Sequence, residues 1–131
     1  MQPFQYVRAT DAAAAVALVT ADPRAEYLAG GTTKLDLVLK DGVLEPERLV
    51  DITRLPLRGT RRAEDTLCVG ALVTMDELAT DRTVSERVPF VRDALLAGAS
   101  PQLRNVATIG GNLLQRRLQR DKIARIPAAG T

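Results

Sequence analysis

Hydrophobic residues in the first third of the chain recur with two periods, one typical of strands and the other of helices. An alternating segment at residues 4–8 and two short apolar segments at residues 27–29 and 49–52 predict three strands. The segments between them space their apolar residues three and four apart, which predicts helices over residues 11–20 and from Lys34 up to Gly42. Strands that alternate with helices indicate βαβ units, so we expect a small parallel sheet.

The first predicted helix has recognisable ends. Thr10 suits its N-cap position, and Asp11 suits its first turn because a carboxylate is favourable at the positive end of a helix. Asp22-Pro23 ends it, since proline cannot continue the helical hydrogen bonding. We expect its inward side to include Ala12, Val16 and Val19.

After residue 52 the pattern changes to that of an antiparallel hairpin. Its strands would cover residues 57–62 and 67–73, with a polar turn between them. Thr74 and Glu77 have the spacing of a capping box, which predicts a short helix that ends near Thr80.

Pro89 suits the first position of a further helix, and Gly98 suits its end. We expect this helix to turn three residues inward, namely Val91, Ala94 and Leu95. One more helical turn should follow over residues 101–104, introduced by Ser100.

Composition restricts the class of protein. The 131 residues are 46% hydrophobic but only 3% aromatic, so a single core would consist mainly of Leu, Val and Ala. No run approaches the roughly 18 apolar residues of a membrane span, and residues 1–6 do not resemble a signal peptide. We therefore expect no membrane span, and a cytoplasmic location unless the chain is exported to the periplasm with a partner subunit.

Histidine is absent and Cys68 is the single cysteine, so we expect no metal site or iron–sulfur site built by this chain alone. Cys68 lies between Leu67 and Val69, which favours a buried small hydrophobe over a reactive thiol.

The net charge of +2 is unevenly distributed. The last sixteen residues carry five basic groups against one acidic group, a sum of +4, so the first 115 residues sum to −2. The basic residues are Arg116, Arg117, Arg120, Lys122 and Arg125. A basic end without an aromatic-rich basic face is a poor indication of nucleic-acid binding, so we expect no nucleic-acid partner.

Candidate chemistry begins with a strand, a Gly-Gly-Thr turn and a helix, which we call the first glycine segment (residues 28–35). Its members are Leu28, Ala29, Gly30, Gly31, Thr32, Thr33, Lys34 and Leu35. Glycines let a ligand approach the backbone, and free N–H groups at a helix start attract phosphate. A turn of this kind is more often a plain connection, so this segment alone does not decide the function.

A second Gly-Gly pair follows the predicted turn at residues 101–104. This second glycine segment (residues 108–112) consists of Thr108, Ile109, Gly110, Gly111 and Asn112. It offers a hydroxyl, bare backbone and an amide side chain. Two such turns converging on one elongated ligand would suit a dinucleotide.

These two segments, together with the run from Ala99 to Arg116, resemble the flavin-binding subunit of the molybdenum hydroxylases, the family of xanthine dehydrogenase and carbon monoxide dehydrogenase. The chain is most similar to the flavin subunits of periplasmic-type bacterial aldehyde oxidoreductases. The resemblance implies an α+β fold of the family's FAD-binding type. Its partners would be a large subunit with the molybdenum cofactor and a small subunit with [2Fe-2S] clusters, from which FAD passes electrons to an outside acceptor.

By the same resemblance, the first glycine segment would hold the FAD diphosphate through backbone amides, and the second would approach the same cofactor from the opposite side. Ser100, Arg104 and Asn105 belong to the matching run, with a less defined contact. We expect Gly30→Val to weaken FAD binding strongly, because its side chain would meet the diphosphate.

The resemblance also implies a division of the chain. We expect a first FAD-binding subdomain over residues 1–55, the start of a second over residues 56–116, and a divergent basic tail over residues 117–131. The tail lacks the cysteines that the aldehyde oxidoreductase type places there, and family subunits are about twice as long or longer. An alternative to a working flavin module is therefore a truncated, non-catalytic piece that at most docks on partner subunits.

Overall fold

Three parallel strands, a hairpin and several short helices make up the part of the chain that our computed structural model describes, residues 3–32 and 46–114. The strands are β1 (Gln5–Arg8), β2 (Ala25–Leu28), β3 (Arg48–Asp51), β4 (Thr60–Ala63) and β5 (Thr66–Val69). The helices are α1 (Ala12–Ala21), α2 (Met75–Ala79), α3 (Arg82–Arg87), α4 (Pro89–Ala97) and α5 (Pro101–Arg104), and residues 109–114 are also helical.

The predicted parallel sheet is confirmed. Its strand order is β1-β3-β2, and β3 pairs in parallel with both neighbours. Asp51, the last residue of β3, is the register partner of Arg8 in β1 and of Leu28 in β2. The three strands therefore end level with one another, and the first glycine segment begins at this edge.

Helix α1 forms as predicted, but two details of that prediction are wrong. Its N-cap is Asp11, whose Oδ1 accepts the Ala14 N–H at 2.7 Å, and not Thr10. Its inward side is formed by Ala15, Leu18 and Val19, whereas Ala12 is exposed and Val16 is 56% exposed. Helix α1 contacts β2 and β3, and its buried residue Ala15 packs in the same cluster as Val50 of β3. The contact face of the helix is therefore rotated by about one residue from the predicted one.

The hairpin also forms, with β4 and β5 antiparallel. Glu64 at the turn has a positive φ of 50°. The prediction that Cys68 is buried is wrong, since its thiol side chain is exposed. Successive residues of a strand face opposite sides, and Leu67 and Val69 pack on the core, so Cys68 between them faces outward.

Helix α2 has the predicted capping box. The Glu77 N–H donates to Thr74 Oγ1 at 3.1 Å, and Glu77 Oε2 accepts the Thr74 N–H at 2.9 Å. Helix α3 was not predicted, because only one large apolar residue on it, Val84, reaches the core. Its N-cap is Asp81, which accepts the Val84 N–H at 3.1 Å.

Helix α4 runs from Pro89 to a C-cap at Gly98, as predicted. Val91 and Leu95 pack on the core, but Ala94 is exposed, which corrects the prediction for that residue. Helix α4 packs on α2 and α3, which have only five and six residues. These short helices cover only part of the face of α4 that was predicted to be buried.

Two hydrophobic clusters meet at neighbouring residues. One, beneath the parallel sheet, contains Val50, Leu55 and Leu72, and the other contains Val73, Leu78 and Val84. Because Leu72 and Val73 are consecutive, the chain passes from one cluster to the other within a single peptide. The segment at residues 71–73 thus joins the sheet to the helices.

Several predictions lie outside the described residues: the helix from Lys34 up to Gly42, the site residues Thr33, Lys34 and Leu35, and the tail at residues 117–131. Within residues 3–32 and 46–114, no helix has both the length and the apolar character needed to cross a membrane.

Candidate functional site

The first glycine segment leaves the sheet at the carboxyl end of β2. Leu28 is still held by the sheet, because its carbonyl accepts the Ile52 N–H at 3.0 Å. Beyond it, the N–H groups of Ala29, Gly30, Gly31 and Thr32 have no acceptor among the described residues. Gly31 has a φ of 72°, in the left-handed region that glycine adopts without strain. Four successive N–H donors of this kind at a strand end suit an anionic ligand.

Gly30 packs directly against the backbone that precedes the second glycine segment. A Cβ placed on Gly30 would lie 2.3 Å from the Val106 carbonyl oxygen and 3.1 Å from its carbonyl carbon. Only a residue without a side chain permits this approach. The two glycine segments, about eighty positions apart in sequence, are therefore neighbours in space.

The second glycine segment is fixed from the other side by residues 71–74. The Ile109 N–H donates to the Val73 carbonyl and the Gly110 N–H to the Ala71 carbonyl, each at 2.9 Å. Thr108 forms an isolated antiparallel bridge with Thr74 and is buried. A Cβ on Gly110 would lie 2.9 Å from the Ala71 oxygen, so this glycine also permits a close backbone approach.

The next two N–H groups of the second glycine segment also donate hydrogen bonds within the chain. Gly111 donates to Thr108 Oγ1 at 3.1 Å, and Asn112 donates to the Thr108 carbonyl at 3.0 Å. Thr108 thus caps the helical residues 109–114. All four N–H groups of residues 109–112 are internally satisfied, whereas those of Ala29 to Thr32 find no acceptor in the described parts of the chain. The anion-binding capacity of the described site lies in the first glycine segment, and the second forms its wall.

The remaining predicted site residues make contacts within the chain. The Ile109 side chain packs on the helical core, and Ser100 Oγ accepts the Leu103 N–H as an N-cap. The Arg104 guanidinium donates to the carbonyls of Leu96 and Ala99, at 3.1 and 2.6 Å. Asn105 is the C-cap of α5. These residues hold the chain that leads into the second glycine segment.

A polar cluster around Asp51 at the same edge of the sheet was not anticipated from the sequence. Asp51 Oδ1 accepts the N–H and the hydroxyl of Thr53, at 2.8 and 2.6 Å, and Oδ2 accepts the Tyr6 hydroxyl. Arg8 Nε lies 3.6 Å from Oδ2. The Asp51 side chain is only 6% exposed. The available signal was a carboxylate near the end of a predicted strand, but its partners Tyr6 and Arg8 lie more than forty positions away in the sequence.

Burial by itself would raise the pKa of Asp51, but the hydrogen bonds from Thr53 and Tyr6 and the Arg8 charge lower it below its ordinary value of 3.8. A lowered folded-state pKa means that the ionised carboxylate stabilises the fold above the unfolded pKa. That contribution is lost as pH falls through the folded-state pKa.

We therefore expect Asp51→Asn to lower the free energy of unfolding by about 2 kcal/mol at neutral pH, because the hydrogen bonds to a charged acceptor are lost. The difference from wild type should shrink as pH falls below about 4, because the Asp51 carboxylate becomes protonated first in the unfolded chain and then, at lower pH, in the folded protein. Urea unfolding across an acid pH series measures it. Asp81, whose pKa is lowered chiefly by the Thr60 hydrogen bond, is present in both proteins and cancels in the comparison. A difference that stays constant with pH would contradict this expectation.

Comparison with known proteins places this geometry in a family. A family model described as the FAD binding domain in molybdopterin dehydrogenase matches residues 2–131. The FAD-binding subunit PaoB of an aldehyde oxidoreductase from Escherichia coli (strain K12) is 42% identical over 120 residues, which cover 88% of this chain and 36% of PaoB.

Solved structures of related enzymes agree with this family assignment. A chain of the Cu,Mo-CO dehydrogenase in its cyanide-inactivated form superposes with a TM-score of 0.82 at 34% identity, covering 88% of this chain and 41% of that one. A chain of quinoline 2-oxidoreductase from Pseudomonas putida 86 gives a TM-score of 0.80 at 32% identity, covering 86% and 39%. The chain thus spans well under half the length of these relatives.

The α+β fold and the resemblance noted from the two glycine segments are confirmed. The family match extends through residue 131 and so includes the basic tail. With a match over nearly its whole length, the chain belongs to the FAD-binding domain family of the molybdopterin dehydrogenases.

Proposed function

We propose that this chain is the FAD-binding part of the flavin subunit of a molybdenum-dependent oxidoreductase of the aldehyde or xanthine type. The observation that carries the proposal is the run of four N–H donors from Ala29 to Thr32, at the carboxyl end of a parallel strand, which have no acceptor among the described residues. Ligands of open parallel sheets bind at that edge, and a diphosphate is the part of FAD that backbone N–H groups recognise.

The residues present fit such a cofactor. Gly31 in the left-handed region turns the chain without a side chain in the way, and Gly30 keeps the second glycine segment within contact. Thr33, Lys34 and Leu35 would extend the diphosphate contact, and the Asn112 side chain would act from the opposite wall. When bound, FAD supplies the electron-transfer chemistry, while this chain binds it, orients it and limits water access.

The proposed role in the complex is supported by the names of two relatives, an aldehyde oxidoreductase FAD-binding subunit and a carbon monoxide dehydrogenase medium chain, which are each one part of a larger enzyme. A large subunit would oxidise the substrate at a molybdenum cofactor. A small subunit with [2Fe-2S] clusters would pass the electrons to FAD on this chain, and FAD would pass them to an external acceptor.

The proposal is tested by titrating the purified 131-residue chain with FAD, followed by visible absorbance and flavin fluorescence. We expect saturable binding at micromolar FAD and one FAD per chain. Riboflavin, which lacks the diphosphate, should bind much more weakly. A chain with a folded circular-dichroism spectrum that binds FAD no better than riboflavin would contradict the proposal and favour the alternative of a non-catalytic interaction piece.

A further inference from the structure

We propose that Asp51 is a positioning residue that sets the geometry of the first glycine segment. This inference rests on the proposed function in taking the ligand to be FAD. It adds a residue of β3 that lies outside both glycine segments and whose side chain is buried from solvent.

The first step is the way in which Asp51 connects the strand ends. Its side chain binds the Tyr6 hydroxyl of β1 and both donors of Thr53, while its own carbonyl accepts the Ala9 N–H at 3.0 Å. The next residue, Ile52, donates its N–H to the Leu28 carbonyl. The turn at residues 51–53 therefore ties the end of β1 to the end of β2.

The second step is the short path from this turn to the ligand-binding backbone. Leu28 is the register partner of Asp51, and the run of N–H donors that have no acceptor within residues 3–32 and 46–114 begins at Ala29, immediately after it. Among the described residues, the Ile52 bond is the last backbone hydrogen bond that holds β2 before those N–H groups. A shift of the backbone in the 51–53 turn would therefore reach Ala29 through one hydrogen bond, the bond from the Ile52 N–H to the Leu28 carbonyl.

The third step is electrostatic. A carboxylate beside an anion-binding loop would repel a diphosphate unless its charge is compensated. The Arg8 guanidinium and three hydrogen bonds provide that compensation for Asp51, so the carboxylate can fix the turn with little repulsion of the ligand. The buried charge is therefore better explained as a device for alignment than as a stabilising element alone.

The test compares Asp51→Asn and Tyr6→Phe with Glu47→Gln, in the full chain. Glu47 forms an exposed ion pair with Arg24 at the opposite end of the same sheet, so Glu47→Gln is a matched control. We expect the FAD dissociation constant to rise about tenfold in Asp51→Asn, the effect of losing a charge-assisted hydrogen bond, and severalfold in Tyr6→Phe. The control should retain wild-type affinity.

A second readout uses no ligand. Amide NMR spectra of the FAD-free proteins should show shifted Gly30 and Gly31 resonances in Asp51→Asn and Tyr6→Phe, but not in Glu47→Gln. If Asp51→Asn does not fold, Tyr6→Phe provides the test, because Tyr6 is an exposed residue and its substitution leaves Asp51 in place. Unchanged glycine amides and unchanged affinity in a folded variant would overturn the inference, as would an equal effect of Glu47→Gln. Absence of FAD binding by wild type would instead refute the proposed function, and the ligand-free spectra would still test the role of Asp51.

Discussion

Gly30→Ala is expected to destabilise the protein and to abolish most FAD binding. The added Cβ would lie 2.3 Å from the Val106 carbonyl oxygen, and both partners are backbone, so neither can swing aside. We expect a loss of about 3 kcal/mol in the free energy of unfolding, at the upper end for overpacking. Displacement of the two glycine segments should lower FAD affinity on the order of a hundredfold, which corresponds to a loss of about 3 kcal/mol of binding free energy.

Urea unfolding in the absence of FAD distinguishes a clash with the Val106 backbone from the clash with the diphosphate that the sequence suggested. If Gly30 only made room for the diphosphate, as the sequence alone suggests, the alanine variant would be as stable as wild type without ligand. Gly59→Ala is the matched control, because Gly59 has a φ of 90° but a Cβ added there would have no described atom within 4 Å. It should cost about 1 kcal/mol through backbone strain and leave FAD affinity unchanged.

Gly110→Ala should have the second-largest effect. Its Cβ would meet the Ala71 oxygen at 2.9 Å and the Ala71 Cβ at 3.0 Å, contacts that are tight but less severe than those of Gly30. We expect a loss of about 2 kcal/mol in stability and about a tenfold loss in FAD affinity, because the wall of the site moves away from residues 71–73.

Thermal unfolding and FAD titration of the same variant measure both effects. Gly98→Ala serves for comparison: it lies at the end of α4 with an ordinary φ of −82°, and the nearest atom to its Cβ would be 3.3 Å away. That change should alter stability by less than about 0.5 kcal/mol. Wild-type stability and FAD affinity in Gly110→Ala would show that the second glycine segment tolerates bulk and is not a packed wall.

Local sequence signals predicted much of the fold. The three strands of the parallel sheet, the hairpin and the capping box at Thr74 and Glu77 follow from apolar runs and residue spacing, and all are present. Most of the predictions that were wrong concerned which side chains are buried, and burial depends on packing between segments that are distant in the sequence. Val16 is exposed and Ala15 buried because of how α1 meets the sheet, and Cys68 faces outward because its two neighbours face inward.

The candidate site shows the same limit. The two glycine pairs could be found from the sequence, since glycine followed by Thr or Asn marks a turn that leaves backbone accessible. The different roles of the two glycine pairs could not be predicted from the sequence. The N–H groups of Ile109 and Gly110 donate to backbone carbonyls, those of Val73 and Ala71 respectively, and a carbonyl acceptor leaves no signal in the sequence. The Asp51 cluster was missed for a related reason, as Tyr6 lies forty-five positions away.

An amide NMR titration of the chain with FAD tests the role of the first glycine segment most directly, because it reports on each backbone N–H separately. We expect the amides of Ala29, Gly30, Gly31 and Thr32 to shift most and to saturate together, while those of Gly59 and Gly98 stay in place. Amides of residues 109–112, already hydrogen-bonded within the chain, should shift less. Saturable FAD binding that leaves the amides of residues 29–32 unshifted would contradict the claim that this segment holds the diphosphate.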